Sequence, residues 1–420
     1  MDKLVIQGGY PLEGDIRISG SKNATLPLLA ATLLAPGSYR FTNVPSLRDV
    51  RTMSHLLRIL GAQVTATDHE LLMDTTHARY NEAPYELVKT MRASFYVLGP
   101  LVARLKEARV SLPGGCAWGP RPVDLHIKGM EALGAKVDLD EGYVVAKADK
   151  LKGAAFEFPI SSVGATGNLL MAAVLASGTS VLKNCAVEPE ITHLAKFLTR
   201  MGADIEGIGT RDMVVRGVSE LHPVDAEMIP DRIETGTYLC AVGMAGGSVR
   251  ITHCEPRHAV ASIEAARRMG LEVAAGSDFL KVEKGKARLQ SVAVTTEPYP
   301  GFPTDLQAPF MAMAALADGT SRITETIYRD RFTHVAELMR LGARISMDGE
   351  TAVIEGRPEL KAAPVMSTDL RASVCLVLAG LAAQGTTEVK RIYHLDRGYE
   401  KIEEKLSKVG ARITREEGEL

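Results

Sequence analysis

The sequence RILGAQV, residues 58–64, is the first of six similar segments, each with an apolar residue before a central glycine and a strand-like alternation after it. The other five are EALGAKV, TRMGADI, RRMGLEV, MRLGARI and SKVGARI, with their glycines at 134, 202, 270, 342 and 410. A glycine at this place suits a left-handed helix C-cap. The regular spacing of the glycines predicts six homologous helix–strand units.

Two further motifs recur with nearly the same period. A glycine-led β-rich run occurs in five units, as in GTSVLKNC and GTTEVKRIY, and EARVSLPGG replaces it in the second. Small and polar residues open apolar stretches in all six units: SKNATLPLL, MRASFYVL, VGATGNLL, IETGTYLC, LQAPFMAM and LRASVCLV. Such openings are typical of helix N-termini. Each unit is therefore predicted to run loop, helix, strand, loop, helix, strand.

The helices opened by the polar residues are apolar on all sides, which predicts that they are buried with sheets around them. The fold class is α/β: two lobes, each an inside-out α/β barrel of three repeats of about 70 residues. Two prolines near residue 225 mark the change of lobe. We expect lobe 1 to span residues 21–229, and lobe 2 to combine residues 1–20, whose strand has no partner in the first unit, with residues 230–420. An ordinary doubly wound sheet is the alternative.

The amino-acid composition excludes several classes of protein. The 49 Lys and Arg residues nearly balance the 51 Asp and Glu residues, which gives no sign of nucleic-acid binding. The five cysteines are scattered, and the apolar runs are too short to span a bilayer, so we expect a cytoplasmic protein without disulfides or membrane contact. No metal or organic cofactor is expected.

A loop rich in glycine and proline, SLPGGCAWGPRPVDLHIKG at residues 111–129, carries the first candidate residues. Pro120 and Pro122 would hold Arg121 in an extended segment that presents its guanidinium to a phosphate, close to Cys116. An inert thiol on a surface loop is the alternative. The polar residues at the repeated helix starts could gather phosphates, although most also suit simple N-caps: they are Lys22, Asn23, Arg92, Ser162, Asp231, Asp305, Asp369 and Arg371.

Taken in order, SGSKNATLPLLAA, LVKTMRAS, SLPGGC, RPVDLHIKG, SSVGAT, MIPDRIETGT, PGFPTDLQA, STDLRAS and HLDRGYEKIEEKL resemble the UDP-N-acetylglucosamine 1-carboxyvinyltransferases. The resemblance runs the length of the chain. It implies an active site in the cleft between the lobes and small-molecule substrates, phosphoenolpyruvate and UDP-N-acetylglucosamine. The reaction would be an addition followed by an elimination that releases phosphate.

The resemblance also implies roles for individual residues. Cys116 would be the general acid, Asp305 the base that accepts the hydroxyl proton, and Asp369 an aid to proton transfer. Phosphoenolpyruvate would be held by cations: Lys22, Arg121 and Arg397, with Arg331 and Arg371 as further candidates. The sugar nucleotide would contact Asn23, Arg92, Arg121, Pro122, Val123, Asp124, Leu125, Ser161, Ser162, Val163, Gly164 and Ile327.

Two alternatives share this scaffold. The sister enzyme that acts on shikimate 3-phosphate has the repeat but lacks the cysteine loop. A non-catalytic sugar-nucleotide sensor would be expected to lose one of Lys22, Cys116, Asp305 or Arg397, and all four are present.

Overall fold

A computed structural model describes residues 2–112 and 123–417. The chain forms two compact units. Unit 1 comprises residues 1–19 and 230–420, and unit 2 comprises residues 20–229. Each unit contains three four-stranded sheets, one for each repeat.

Every repeat has the same six elements: a short edge strand, a first helix, an inner strand, a second helix and two hairpin strands. The edge strand runs parallel to the inner strand, and the last hairpin strand pairs antiparallel with the other side of the inner strand. In unit 2 the elements are Ala226–Glu227, Lys22–Ala31, Ser38–Thr42, Arg48–Ile59, Gln63–Thr67 and Glu70–Asp74; then Glu82–Ala83, Leu98–Leu105, Glu107–Ser111, Asp124–Ala132, Lys136–Asp140 and Tyr143–Lys147; then Ala155–Glu157, Val163–Ala173, Thr179–Lys183, Pro189–Arg200, Asp204–Glu206 and Met213–Arg216.

Unit 1 repeats the pattern with the chain's N-terminal segment built in. Its elements are Leu12–Arg17, Arg232–Ala245, Gly247–Thr252, Val260–Arg268, Glu272–Ala275 and Phe279–Lys284; then Ala293–Thr295, Gln307–Ala314, Thr320–Thr324, His334–Arg340, Arg344–Asp348 and Thr351–Glu355; then Pro364–Met366, Val374–Ala382, Thr386–Lys390, Ile402–Lys408, Arg412–Glu416 and Lys3–Gln7. A short helix, Tyr85–Val88, and the 3-10 helices complete the fold: Thr32–Leu34, Arg92–Val97, Pro256–His258, Thr304–Leu306 and Ile392–Arg397.

The N-terminal segment completes two sheets of unit 1. Lys3–Gln7 pairs antiparallel with both Thr386–Lys390 and Arg412–Glu416, and Leu12–Arg17 pairs parallel with Gly247–Thr252. The N-terminal segment, which was expected to form a single strand, thus forms two strands in two different sheets. Gly8 and Gly9 lie between the two strands, and a side chain at Gly8 would collide with the carbonyl oxygen of Ala383.

The six repeat glycines all adopt a positive φ, between +88° and +109°, which confirms the predicted left-handed C-caps. The predicted repeat was incomplete, however, because it lacked the edge strand and one hairpin strand. The edge strand is as short as two residues, at Glu82–Ala83. In the first repeat of unit 2, only Asp68 and His69 separate the two hairpin strands, so the sequence looks like one continuous strand.

The first helices of the repeats are the buried ones. All eight residues of Gln307–Ala314 are buried, as are nine of the ten in Lys22–Ala31. In unit 1 the three first helices pack against one another. The predicted inside-out α/β arrangement is therefore confirmed, with helices inside and sheets around them. Among the described strands the sheets stay separate, and no strand pairing closes them into a hydrogen-bonded barrel.

Among the described residues, no helix combines the length and the apolar character needed to cross a membrane. The four cysteines in this part of the chain are free and buried: Cys185, Cys240, Cys254 and Cys375. Burial raises the pKa of Cys185 to about 12 and that of Cys254 to about 11, so these thiols stay protonated and unreactive at neutral pH.

Candidate active site

In unit 1 a buried arginine joins two of the predicted catalytic carboxylates. Nη1 of Arg331 donates to Oδ1 of Asp305 at 2.7 Å, and Nη2 lies 3.5 Å from Oδ1 of Asp369. The Arg331 side chain is 5% exposed and that of Asp369 only 1%, whereas Asp305 is 24% exposed. Burial opposes the charge of Arg331, yet the neighbouring Asp369 and Asp305 raise its pKa above the ordinary value. The sequence named all three residues, and the structure brings them together.

The start of the 3-10 helix Thr304–Leu306 sets the position of Asp305. Asp305 lies inside this helix, whose N-cap position is Pro303, so the alternative reading of Asp305 as a simple N-cap is wrong. Thr304 instead donates to Oε2 of the fully buried Glu325 at 2.8 Å. Oε1 of Glu325 accepts from the backbone of Ile327 and Tyr328, at 2.8 and 2.9 Å. One carboxylate therefore fixes both Asp305's helix and the predicted nucleotide contact Ile327.

Asp369 sits in a turn rather than at a regular helix start. Its Oδ1 accepts from the backbone amides of Arg371 at 2.7 Å and Ala372 at 2.6 Å, and its own amide donates to Ser373. The helix begins only at Val374. Asp369 thus combines the predicted capping of backbone amides with contact to a guanidinium, so its buried Oδ1 has hydrogen-bond partners on two sides.

Arg371 is held inside unit 1 by a second ion pair. Its Nη2 donates to Oδ2 of Asp231 at 2.8 Å, and Nη1 donates to the carbonyl of Gly398, next to Arg397. The side chains of the pair are 1% and 5% exposed. Asp231 also caps its helix by accepting from the amides of Ile233 and Glu234, as predicted. Arg397 ends the 3-10 helix Ile392–Arg397 and is half-buried.

In unit 2 the ammonium group of Lys22 contacts Asp49. Ser21 caps the helix Lys22–Ala31, and Nζ of Lys22 lies 3.2 Å from Oδ2 of Asp49, with both side chains less than 10% exposed. Asp49, from the next helix, supplies an opposite charge to Lys22 at this helix start. Asp49 lies outside the recurring motifs, so its contact with Lys22 was not predicted.

The predicted nucleotide contacts of unit 2 lie around a buried histidine. His126 follows Val123, Asp124 and Leu125 at the start of their helix, and a side chain added at Gly164 would lie 3.3 Å from the His126 ring. Ser162 caps the helix that carries Gly164 by accepting from Ala165. Burial, and then Arg92, lower the pKa of His126 to about 3. Arg92, the segment 123–125 and Gly164 are thus brought together around an imidazole that stays neutral.

The other predicted residues are five that the structure describes and three that it does not. Asn23 and Ser161 are partly exposed at the starts of the helices Lys22–Ala31 and Val163–Ala173, and Val163 opens the second of these. Asp124 is exposed and lies 3.6 Å from Lys128. Ile327 is 37% exposed. Cys116, Arg121 and Pro122 lie outside the described residues.

The buried His126 leads to an expected pH dependence. Its pKa is near 6.5 in the unfolded chain and about 3 in the fold. The unfolded state therefore binds more protons between these values, and the stability contributed by the neutral ring, complete above pH 6.5, is lost as the pH falls towards 3. At pH 5.0 the loss should be about 2 kcal/mol. Urea unfolding at pH 7.5 and 5.0 should show a loss about 2 kcal/mol smaller in His126→Gln than in the wild type, because the buried His334 contributes equally to both proteins.

His222→Gln, which removes an exposed imidazole, is the matched control and should keep the wild-type pH dependence. An equal change in unfolding free energy for His126→Gln and the wild type would contradict the expectation.

Comparison with known proteins identifies the family of the chain. A family model described as EPSP synthase (3-phosphoshikimate 1-carboxyvinyltransferase) matches residues 6–406. The enolpyruvyl transferase NikO from Streptomyces tendae has a similar structure, with a TM-score of 0.89, 29% identity, and coverage of 99% of this chain and 98% of that one. An EPSP synthase from Acinetobacter baumannii, 17% identical, shares the fold with a TM-score of 0.76 over 99% of this chain and 100% of the other. Fold and site thus define an enolpyruvyl transferase.

The sequence relatives are more specific. UDP-N-acetylglucosamine 1-carboxyvinyltransferase from Anaeromyxobacter sp. (strain Fw109-5) is 55% identical, covering 99% of this chain and 100% of the relative. The enzyme of the same name from Geotalea uraniireducens (strain Rf4) is 52% identical, covering 99% of each. The chain therefore belongs to the UDP-N-acetylglucosamine 1-carboxyvinyltransferases, within the wider family whose model is described as EPSP synthase.

Proposed function

We propose that this chain transfers the enolpyruvyl group of phosphoenolpyruvate to the 3′-hydroxyl of UDP-N-acetylglucosamine and releases phosphate. The observation that carries the proposal is the 52 to 55% identity, over nearly the full length of both chains, with enzymes of that name. The reaction would begin peptidoglycan synthesis in the cytoplasm, and so serve cell-wall growth and cell division.

The chemistry needs a base, an acid and several cations. The methylene carbon of phosphoenolpyruvate gains a proton while the sugar hydroxyl attacks C2. The tetrahedral ketal then loses phosphate and a proton from its new methyl group, which restores the carbon–carbon double bond. Asp305 would accept the hydroxyl proton, and Asp369 would assist proton transfer. The contact of Arg331 with both carboxylates supports these roles, because it holds the two proposed proton-transfer groups at one buried guanidinium.

The anionic groups of the substrates require positive charge. Lys22, Arg121 and Arg397 would bind the phosphate and carboxylate of phosphoenolpyruvate, with Arg331 and Arg371 as further cations. Arg371 would act indirectly, since Asp231 and the carbonyl of Gly398 already engage its guanidinium. Its bond to Gly398 supports a role in placing Arg397. Cys116 would be the acid and the target of fosfomycin, a reagent that alkylates thiols.

In unit 2 the sugar nucleotide would meet the group around His126. Arg92 would bind the diphosphate, and Asn23, Asp124, Leu125 and Ser161 to Gly164 would contact the sugar and the base. The lowered pKa of His126 supports this arrangement, since a neutral imidazole leaves the charge pairing of the diphosphate to the arginines.

The test measures phosphate release from phosphoenolpyruvate with UDP-N-acetylglucosamine or shikimate 3-phosphate as acceptor. We expect release with the sugar nucleotide alone, and its loss in Cys116→Ala. Release only with shikimate 3-phosphate would make the chain the sister enzyme, and release with neither would favour a non-catalytic sensor. Activity that survives Cys116→Ala would overturn the assignment of the acid and leave the transferase intact.

A further inference from the structure

His334 is a fully buried histidine that the reaction described above does not use. It opens the helix His334–Arg340, and its exposure is 0%. Among the described residues, neither ring nitrogen has a hydrogen-bond partner. A buried imidazole without partners is costly, because each polar atom has lost water and gained nothing in return.

The same neighbourhood contains a second buried atom without a partner, Oδ2 of Asp369. It too lacks a hydrogen bond within the described part of the chain, whereas Oδ1 accepts from two backbone amides. The two residues lie on adjacent segments, since Oγ1 of Thr333 is 3.1 Å from Oγ1 of Thr368. The carboxylate of Asp369 also acts on the His334 ring electrostatically. A potential donor and a potential acceptor are thus neighbours.

The internal repeat contains a second histidine at the same position, and that histidine has a hydrogen-bond partner. His126 in unit 2 and His334 in unit 1 each lie eight residues before the repeat glycine, Gly134 or Gly342, of the middle repeat. His126 has its partner: Nδ1 lies 2.9 Å from Nδ2 of Asn168. These are the only two repeats with histidine at this place.

The position of Asn168 is occupied by a different residue in unit 1. Asn168 lies ten residues before Gly178, and Cys375 lies ten before the equivalent Gly385. In both units the histidine's helix packs against the helix that carries this residue. A thiol is a weak hydrogen-bonding group, so Cys375 does not replace the amide of Asn168. Unit 1 therefore keeps the histidine and lacks the side chain that would hold it.

We propose that His334 is a positioning residue for Asp369, and that its ring N–H donates a hydrogen bond to Oδ2 of Asp369 during the reaction. The inference rests on the proposed function, in which Asp369 assists proton transfer. The bond would hold Oδ2 in one orientation while the backbone amides hold Oδ1. Burial lowers the pKa of His334 to about 3, despite Asp369, so the ring stays neutral and keeps one N–H donor.

The experiment compares His334→Leu with His334→Asn and His334→Gln in the intact enzyme, using phosphate release with UDP-N-acetylglucosamine. A hydrogen bond to a charged group is worth about 1.5–3 kcal/mol, so kcat should fall about 10- to 100-fold in the leucine variant. The KM for the sugar nucleotide should stay the same. One of the two amide variants should recover activity, because each supplies an N–H near one of the ring nitrogens.

A double-mutant cycle separates positioning from packing. In an Asp369→Asn background, His334→Leu should cause no further loss of kcat, because the acceptor it serves has gone. Leu338→Ala, a buried residue one turn along the same helix, is the packing control and should lower the melting temperature without changing kcat. Equal losses of kcat for His334→Leu in both backgrounds, or none in the wild-type background, would overturn the inference.

Cys375→Asn provides a second test if His334→Leu does not fold. It supplies the amide that Asn168 provides in unit 2, so it should draw His334 away from Asp369 and lower kcat at an unchanged melting temperature. An unchanged kcat would count against the proposal. Failure of the proposed function looks different, since the wild type itself would then release no phosphate with the sugar nucleotide. Wild-type activity in Asp369→Asn would remove the role of Asp369, and with it the inference.

Discussion

Replacing Asp305 with alanine should lower kcat by about 10²- to 10⁴-fold, the usual contribution of a general base. Asp305 has the most exposed side chain of the three residues joined by Arg331, so it is better placed than Asp369 to meet a substrate hydroxyl. The fold should tolerate the change, because Arg331 keeps Asp369 as its counter-ion. Phosphate release under saturating substrates, with the melting temperature measured alongside, tests both statements.

Asp348→Ala is the matched control for this variant. Asp348 also pairs with an arginine, Arg322, but its side chain is 72% exposed, on a hairpin strand of the same repeat. It should keep wild-type kcat. If Asp305→Ala retained more than about a tenth of the wild-type kcat, the general-base role would have to pass to another group.

Replacing Arg371 with methionine should destabilise the protein by about 3–5 kcal/mol, because it leaves the carboxylate of Asp231 buried without its counter-ion. The pair is almost inaccessible to solvent. Nearby Arg371 keeps the pKa of Asp231 below its ordinary value, although burial alone acts in the opposite direction. Urea unfolding at pH 7.5 measures the loss.

Arg322→Met breaks the exposed pair with Asp348 and should cost no more than about 1 kcal/mol. Adding Asp231→Asn to Arg371→Met should restore part of the lost stability, because asparagine removes the buried charge and still caps the helix. The explanation by burial fails if Arg371→Met and Arg322→Met cost the same, or if the added Asp231→Asn lowers stability further.

The repeat made much of this molecule predictable. Six glycines in equivalent places fixed the helix ends, and the polar residues opening each apolar run located Asp305, Asp369 and Arg371 without knowledge of the fold. One further regularity was not used in the prediction. Histidine lies eight residues before the repeat glycine only at His126 and His334.

The pairing of side chains was not predictable in this way. Asp49 belongs to no recurring motif, and Glu325 and Asn168 lie in recurring segments that do not repeat their residue types. Each contacts a partner that is 21 to 69 residues away along the chain.

The sequence by itself determined the α/β class, the six repeats, the left-handed glycine caps and the residue types available for catalysis, because these depend on local conformation and on periodicity. The tertiary structure alone decided which charges meet: Lys22 with Asp49, Arg331 with Asp305 and Asp369, and Arg371 with Asp231. It also decided that His126 has a partner, while His334 lies buried beside a carboxylate oxygen that has none within the described residues. The physical reason is that burial and pairing depend on distances through space, which packing sets and local sequence does not.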